Sequence, residues 1–184
     1  MTEKNLINID NILNAEIIEE PWEHAVIDNI INIPVLWENL LTGYIPSTNS
    51  LDVLSENKDN ILDKYGRYRN LRKKTRITWG VSIVSPGDKY EIHNDGDIKI
   101  WSLVIYLFPK HGNGTLIYDR DKKLIKEVEW KQGRGLAFSP DRNTWHSYAN
   151  TTDQFRATLN INVRTGGYTA WTLNKKEYLH LIEE

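Results

Sequence analysis

From Thr75 onward the sequence is a series of short runs rich in β-branched and aromatic residues, and turn residues separate the runs. They occupy residues 75–87, 98–108, 114–130, 133–140, 144–150 and 155–164. β-Branched and aromatic residues favour strands, and Gly, Pro, Asn and Asp between them favour turns. The run at 114–130 is typical of a hairpin with its turn near 119–123. About seven strands behind a helical region predict a mainly β protein, a sandwich or barrel with helical support.

The N-terminal part has helical patterns instead. Residues 33–43 predict a helix with Pro34 in its first turn and Gly43 at its end, and residues 50–66 predict a second one. Residues 21–30 predict a short strand. We therefore expect one domain over 1–184, made of a helical and mixed support region 1–74, a β core 75–165 and a C-terminal extension 166–184.

Composition excludes several classes of protein. The 184 residues are 40% hydrophobic and 26% charged, which is a globular profile. There is no cysteine, so disulfides, thiolate metal sites and a cysteine nucleophile are excluded. The net charge of −2 argues against a nucleic-acid or anionic-membrane partner. No apolar run approaches 18 residues and the start lacks the apolar segment of a signal peptide, so we expect a cytoplasmic protein.

Polar residues with metal-ligand chemistry lie among the predicted strands. His93 and Asp95 are two apart, so on an extended segment their side chains point to the same side. His146 follows 51 positions after Asp95, on another predicted strand. Two imidazoles and one carboxylate are the facial set that binds non-haem Fe(II). The alternatives are a plain polar loop around His93, or Asp97 as the acid in place of Asp95.

Anion-binding residues accompany this set. Arg156 comes ten positions after His146, and an inward arginine needs an anion because an unpaired buried charge is costly. A guanidinium holds a carboxylate in a bidentate manner. Thr158 shares the face of Arg156 and offers a hydroxyl, and Tyr90 offers another. Arg164 ranks below Arg156 as the anion-binding residue. Candidate pocket walls are Trp101, Ser102, Tyr106 and Trp145.

These motifs together resemble the 2-oxoglutarate/Fe(II)-dependent dioxygenase superfamily. The segment YEIHND is similar to the Y-x-x-H-x-D of small prolyl-4-hydroxylase-like members, and GNGTLIY is similar to their G-G-x-T-x-F strand. The segment PWEHAVIDNIINIPVLWENL resembles the opening of many small members. The resemblance covers roughly residues 21–165.

The resemblance implies a double-stranded β-helix, the jelly roll that cupins share. It implies that His93, Asp95 and His146 bind Fe(II), and that Arg156 pairs with the distal carboxylate of 2-oxoglutarate, assisted by Tyr90 and Thr158. The implied activity is hydroxylation of an unactivated C–H with O₂, with release of succinate and CO₂.

The substrate stays open at this level, between a peptidyl proline or other protein side chain and a small molecule. The basic segment 64–76 is either a solvated loop or a lid over the substrate. A cupin-like metal-binding protein without oxygenase activity is one alternative. A nucleic-acid demethylase is another, although residues 156–164 do not fit the R-x-N-x-T-x-R signature of that group. The oligomeric state is not predicted.

Overall fold

The computed structural model describes residues 6–34, 49–65, 75–95 and 98–165. The helices within these residues are α1 Ile9–Leu13, α2 Asn49–Glu56 and α3 Lys58–Tyr65. The strands are β1 His24–Ile27, β2 Thr75–Val84, β3 Lys89–His93, β4 Lys99–Phe108, β5 Thr115–Tyr118, β6 Leu124–Val128, β7 Gly135–Phe138, β8 His146–Ala149 and β9 Arg156–Thr165.

The strands form two antiparallel sheets. The larger sheet has the order β1-β7-β4-β9-β2, and the smaller sheet has the order β3-β8-β5-β6. Strands that are distant in sequence are therefore neighbours, as in a double-stranded β-helix. The predicted fold class, mainly β with N-terminal helices around a jelly-roll core, is confirmed.

Alternation along β4 gives the larger sheet two different faces. Trp101, Leu103 and Ile105 are fully buried on the face that packs against the helices. The helices contribute apolar side chains that include Ile12, Leu54, Ile61 and Leu62. Burying each such side chain stabilises the fold by about 1.5–3 kcal/mol, so this layer fixes the sheet in place.

The opposite face of the larger sheet lines the space between the sheets, and its two ends differ. One end is filled by a second apolar cluster, composed of Trp22, Tyr106, Ile117, Val128, Trp130, Leu136 and Phe138. At the other end β9 presents Thr158, Asn160 and Asn162, and these polar side chains line an open groove. The sheets are therefore packed together at one end and separated by a polar cavity at the other.

The N-terminal region differs from the prediction in one respect. The prediction of a single helix at 50–66 is wrong, because the chain forms two helices that are separated at Asn57. The Asn57 side chain donates to the Val53 carbonyl at 2.8 Å and shares this acceptor with the Asn57 backbone N–H at 3.1 Å, so side chain and backbone compete for one carbonyl where the helix is interrupted.

Several predicted features lie outside the described residues. They are positions 35–43 of the first predicted helix, 66–74 of the basic segment, Asp97 and the extension 166–184. Among the helices that are described, none has the length and apolar character needed to cross a membrane.

Candidate metal centre

Strand pairing brings the two predicted histidine ligands together. β3 and β8 are antiparallel, with His93 directly opposite His146, and the ring centroids are 4.3 Å apart. One ligand atom each from His93, Asp95 and His146 lie within 4.8 Å of one another. Metal bonds to such atoms are about 2.1 Å long, so small side-chain rotations bring all three atoms within reach of one ion.

Both imidazoles are held in the tautomer that a metal needs. His93 Nδ1 lies 2.9 Å from the Glu91 carbonyl oxygen, and His146 Nδ1 lies 2.8 Å from the Thr144 carbonyl oxygen. A carbonyl can only accept, so each Nδ1 carries the proton and donates it. Each Nε2 therefore has a free lone pair, and the backbone bond fixes the ring orientation, as in many metal sites.

Burial keeps His146 neutral. Burial lowers the pKa of His146 from 6.5 to about 4. The Asp95 carboxylate opposes this shift, and the neighbouring His93 adds to it. Metal ligation requires the neutral imidazole. His146 is thus deprotonated at neutral pH without any help from a bound ion.

Asp95 reaches the histidines from a different position than the sequence suggested. β3 ends at His93, so Asp95 lies two residues beyond the end of the strand. Asp95 Oδ1 is 3.9 Å from His93 Nε2. The strand register also shifts between Tyr90 and His93, and this irregularity changes the local direction of the chain before the acid.

Two neighbours orient the Asp95 carboxylate. Lys99 Nζ donates to Oδ1 at 2.6 Å, and Ser102 Oγ donates to Oδ2 at 2.8 Å. Burial alone raises the pKa of Asp95, but attraction to His146 in its protonated form, the charge of Lys99 and these two hydrogen bonds hold the pKa below its ordinary value. Asp95 is therefore an ionised carboxylate in a largely buried position.

The three residues open into a cavity of about 320 Å³. Its wall includes Tyr90 and Tyr148 from the smaller sheet and Lys99, Thr158 and Asn160 from the larger one. A metal at this point is thus accessible from the cavity, which leaves coordination positions open for further ligands.

Arg156 lies in an enclosed aromatic environment. It is 2% exposed, and its Cζ lies 4.0 Å from the ring centroid of Tyr148, 5.1 Å from Trp130 and 5.7 Å from Tyr106. Its Nε donates a long bond of 3.4 Å to the Asn113 carbonyl, while Nη2 is buried and has no partner. Burial lowers the pKa of Arg156. Among the described residues no carboxylate pairs with the Arg156 guanidinium.

The remaining predicted site residues lie on the same cavity. Thr158 is buried and lines it next to the strand position of Arg156. Tyr90 is 53% exposed and stacks on Tyr148, with ring centroids 5.6 Å apart. Tyr90 is also edge-on to His93 at 4.5 Å. Tyr90 and Thr158 as contacts of 2-oxoglutarate remain predictions.

The structure adds residues that spacing did not single out. Lys99 and Asn162 approach the metal centre because β4 and β9 pair, and Tyr148 of the smaller sheet contacts Arg156 of the larger one. Of the candidate walls, Ser102 reaches Asp95 directly. The prediction that Trp101 is a pocket wall is wrong, because alternation along β4 places its side chain against the helices. The signal for Asn160 and Asn162 was present in the sequence, as polar residues at alternate positions of β9.

Comparisons with known proteins support the fold. No protein-family model matches the chain, and no curated protein matches it. Among solved structures, a Pseudomonas putida prolyl-4-hydroxylase superposes with a TM-score of 0.57 at 14% identity, covering 86% of this chain and 93% of that one. A viral collagen prolyl hydroxylase from Paramecium bursaria Chlorella virus-1, in complex with 2-oxoglutarate, gives 0.56 at 18% identity, covering 78% and 96%.

A third similar structure is a Trichoplax adhaerens prolyl hydroxylase in complex with a peptide fragment of the hypoxia inducible factor oxygen degradation domain. Its TM-score is 0.57 at 16% identity, covering 83% of this chain and 87% of that one. At these identities the likeness is one of fold. The chain therefore resembles prolyl-4-hydroxylase-like 2-oxoglutarate oxygenases in its architecture.

Proposed function

We propose that this protein is an Fe(II)- and 2-oxoglutarate-dependent oxygenase that hydroxylates an unactivated C–H bond. The observation that carries the proposal is the cluster of His93, Asp95 and His146, whose ligand atoms lie within 4.8 Å at the wall of an open cavity. Two neutral imidazoles and one carboxylate are the donor set of non-haem Fe(II) sites with open positions.

The residues present fit this metal. His93 and His146 would bind it through Nε2, because each Nδ1 is engaged with a backbone carbonyl. Asp95 would bind it through Oδ1, while Ser102 holds Oδ2. When bound, iron and 2-oxoglutarate supply the activation of O₂, with succinate and CO₂ as products. The chain itself fixes the ligand geometry and positions the substrate.

Arg156 is the residue that suits the distal carboxylate of 2-oxoglutarate. Its guanidinium is buried with Nη2 unpartnered, and a carboxylate there would supply both the missing acceptor and the missing counter-charge. Thr158 lies two positions further along the same face of β9 and offers a hydroxyl to the same group. This pairing of a metal triad with an isolated buried cation favours an oxygenase over a metal-binding cupin.

For the substrate, the open side of the cavity admits either a peptide side chain or a small molecule. One structural neighbour is a complex with a peptide, which supports the first type. Hydroxylation requires only that the target carbon be held next to the open metal positions, so the cavity wall decides the specificity.

One test of the proposal is anaerobic binding of the metal and 2-oxoglutarate. Fe(II) and 2-oxoglutarate added to the purified protein should produce a weak visible charge-transfer band. The band should be absent in Asp95→Ala and His146→Ala, which lose metal ligands. Arg156→Ala should need more 2-oxoglutarate to reach the same band. If the parent protein binds Fe(II) but never develops the band at any 2-oxoglutarate concentration, the proposal is wrong.

A further inference from the structure

The inner face of the larger sheet carries a row of cations beside the metal centre. Strand register pairs Arg164 of β9 with Lys99 of β4 on one side and with Arg76 of β2 on the other. Directly opposed residues of antiparallel strands have Cβ atoms about 4.5–5.5 Å apart on the same face. The three side chains, here called the basic row, are thus immediate neighbours.

The basic row faces the cavity and not the helices. β9 alternates regularly, and Thr158, Asn160 and Asn162 all line the cavity. Arg164 is the next residue on that face. Lys99 lines the cavity as well. Lys99 therefore lies on the wall of the polar groove that contains the metal centre, and strand register places Arg164 and Arg76 beside it on the same face of the sheet.

Within the described residues the basic row is short of negative charge. No carboxylate there forms an ion pair with Arg76 or Arg164, and the buried Nε of Arg164 has no hydrogen-bond partner. The acid bonded to Lys99 is Asp95, through Oδ1 at 2.6 Å. Like charges directly opposite each other in a sheet are destabilising, so an anion bound between these cations would stabilise the row.

Metal binding would remove negative charge from the basic row. Oδ1 of Asp95 is the oxygen that lies 3.9 Å from His93 Nε2, and Lys99 donates to the same atom. A cation bound between the ligands would share or take Oδ1 from Lys99. Lys99 would then lose its anionic partner, and among the described residues the three cations of the row would have no carboxylate bonded to them.

Position separates the basic row from the Arg156 site. Arg156 and Arg164 are eight residues apart on one strand, which is about 26 Å at roughly 3.3 Å per residue. Ser102, which holds Asp95, pairs with Asn162, one step inward from Arg164. The metal centre thus lies between two anion-binding positions, with the basic row about 7 Å along the strand from the Asn162 level.

We propose that Lys99, Arg164 and Arg76 bind an anionic group of the substrate, a carboxylate or phosphate that lies a few bonds from the carbon to be hydroxylated. This inference rests on the proposed function, because it assigns that site its substrate class. The anionic group belongs either to a free small acid or to an acidic position in a peptide. In both cases the charge at the row orients the target carbon toward the metal centre.

The first test is anion binding in the absence of metal and 2-oxoglutarate. Inorganic phosphate is titrated against the Arg156→Met variant, which removes the other anion site, and binding is followed by ³¹P line width. We expect saturable binding that weakens with added NaCl. Adding Arg164→Gln or Arg76→Gln should weaken it at least fivefold, whereas Arg120→Gln, an exposed arginine of the β5–β6 turn, should not.

Two results would overturn the inference. One is that the Arg156→Met protein binds no phosphate. The other is that the Arg164 and Arg76 variants, with folded spectra, bind phosphate as tightly as their parent. The titration involves no iron, oxygen or turnover, so neither result bears on the oxygenase proposal. If the oxygenase proposal fails, the phosphate titration can still be interpreted.

The second test distinguishes the sources of the anion. Candidate substrates are offered as matched pairs of acid and neutral amide, once as free compounds and once within short peptides, and stimulation of 2-oxoglutarate consumption is measured. We expect an acid to stimulate at least tenfold more than its amide in the parent protein, and Arg164→Gln to abolish this preference. Stimulation by the free form or by the peptide form identifies the source. Equal stimulation by acids and amides contradicts the inference.

Discussion

Arg156 is a buried guanidinium whose Nη2 has no partner, yet three aromatic rings surround it. Burying an unpaired charge is unfavourable, whereas cation–π contacts of about 0.5–2 kcal/mol each act in the opposite direction. The two effects largely offset each other in the ligand-free protein. The arginine is therefore better explained by a ligand that it binds than by a contribution to folding.

This balance gives a prediction for Arg156→Met. The free energy of unfolding of the ligand-free protein should change by less than about 1 kcal/mol, because the lost desolvation cost and the lost ring contacts compensate. The affinity for 2-oxoglutarate should fall at least tenfold, since charge-assisted hydrogen bonds contribute about 1.5–3 kcal/mol. Denaturant unfolding and anaerobic titration measure the two quantities. An unchanged affinity for 2-oxoglutarate would mean that another residue binds its distal carboxylate.

Lys99 competes with a metal ion for Asp95 Oδ1, so its removal should strengthen metal binding. Lys99→Met keeps the apolar stem and deletes the charge. We expect the dissociation constant for Mn(II) to fall about tenfold, or about 1.4 kcal/mol, with Lys110→Met, at an exposed position, as the matched control. Calorimetric titration measures it. Weaker Mn(II) binding by Lys99→Met would mean that Lys99 positions the carboxylate more than it competes for it.

At this scale the sequence predicted part of the site. Spacing, residue type and the family resemblance predicted His93, Asp95, His146 and Arg156. The structure brings ligand atoms of the first three within 4.8 Å of one another, and the roles of all four stay predictions. The contacts of Lys99 with Asp95 and of Tyr148 with Arg156 depend on strand register and on an irregularity in β3. Neither register nor irregularity is encoded in local spacing, so these contacts could not be predicted.

At the level of elements, β1 brings a histidine into the core. His24 is fully buried, its Nδ1 bonds the Trp22 carbonyl at 2.7 Å, and its Nε2 has no partner. Burial lowers the pKa of His24 below 6.5. The unfolded chain, with the ordinary value, therefore binds a proton more readily. The contribution of neutral His24 to the free energy of unfolding is therefore fully present above about pH 6.5, and it is lost as the pH falls below that value.

We accordingly expect His24→Gln to flatten the pH dependence of unfolding. Glutamine keeps a donor for the Trp22 carbonyl and does not titrate. In metal-free protein the decline in unfolding free energy from pH 7 to pH 5 should be smaller in the variant, and His146 should account for the decline that remains. Denaturant curves at several pH values measure this. The same decline in both proteins would show that His24 does not contribute.

The start of β5 depends on a glycine. A Cβ at Gly114 would overlap the Val128 carbonyl of β6, which is backbone and cannot move aside cheaply. Gly114→Ala should therefore destabilise the protein by roughly 2 kcal/mol or more. It should also displace Asn113, whose carbonyl accepts from Arg156. Gly80→Ala in β2 is the control, since nothing lies within 4 Å of the point that its methyl group would occupy. Equal thermal stability of the two variants would refute this.

Elements were predictable where local pattern determines them. The β-type runs became β2, β4 and the β5–β6 hairpin, with its turn at the expected place. The break between α2 and α3 was missed because the apolar periodicity continues through Asn57. The Asn57 side chain competes with the backbone for the Val53 carbonyl, and apolar periodicity carries no information about such a bond.

For the whole molecule, the proposed function relies on the difference between the two ends of the sandwich. One end is filled by large apolar side chains, and the other retains a polar cavity lined by the alternate residues of β9. Buried amides need partners, and these asparagines find them on the neighbouring strands: Asn160 donates to Ser82 Oγ at 2.7 Å, and Asn162 accepts from Ser102 Oγ at 3.0 Å. The long-range assembly of β3, β8 and β9 around this cavity could be inferred from the family resemblance, but not from any single segment.

The assignment as an oxygenase is tested most directly by succinate formation from 2-oxoglutarate in air, with Fe(II) and without added substrate. We predict slow, Fe(II)-dependent succinate release by the parent protein and none by His146→Ala. An iron-loaded parent protein that forms no succinate would contradict the assignment, and so would a His146→Ala protein that forms as much as the parent.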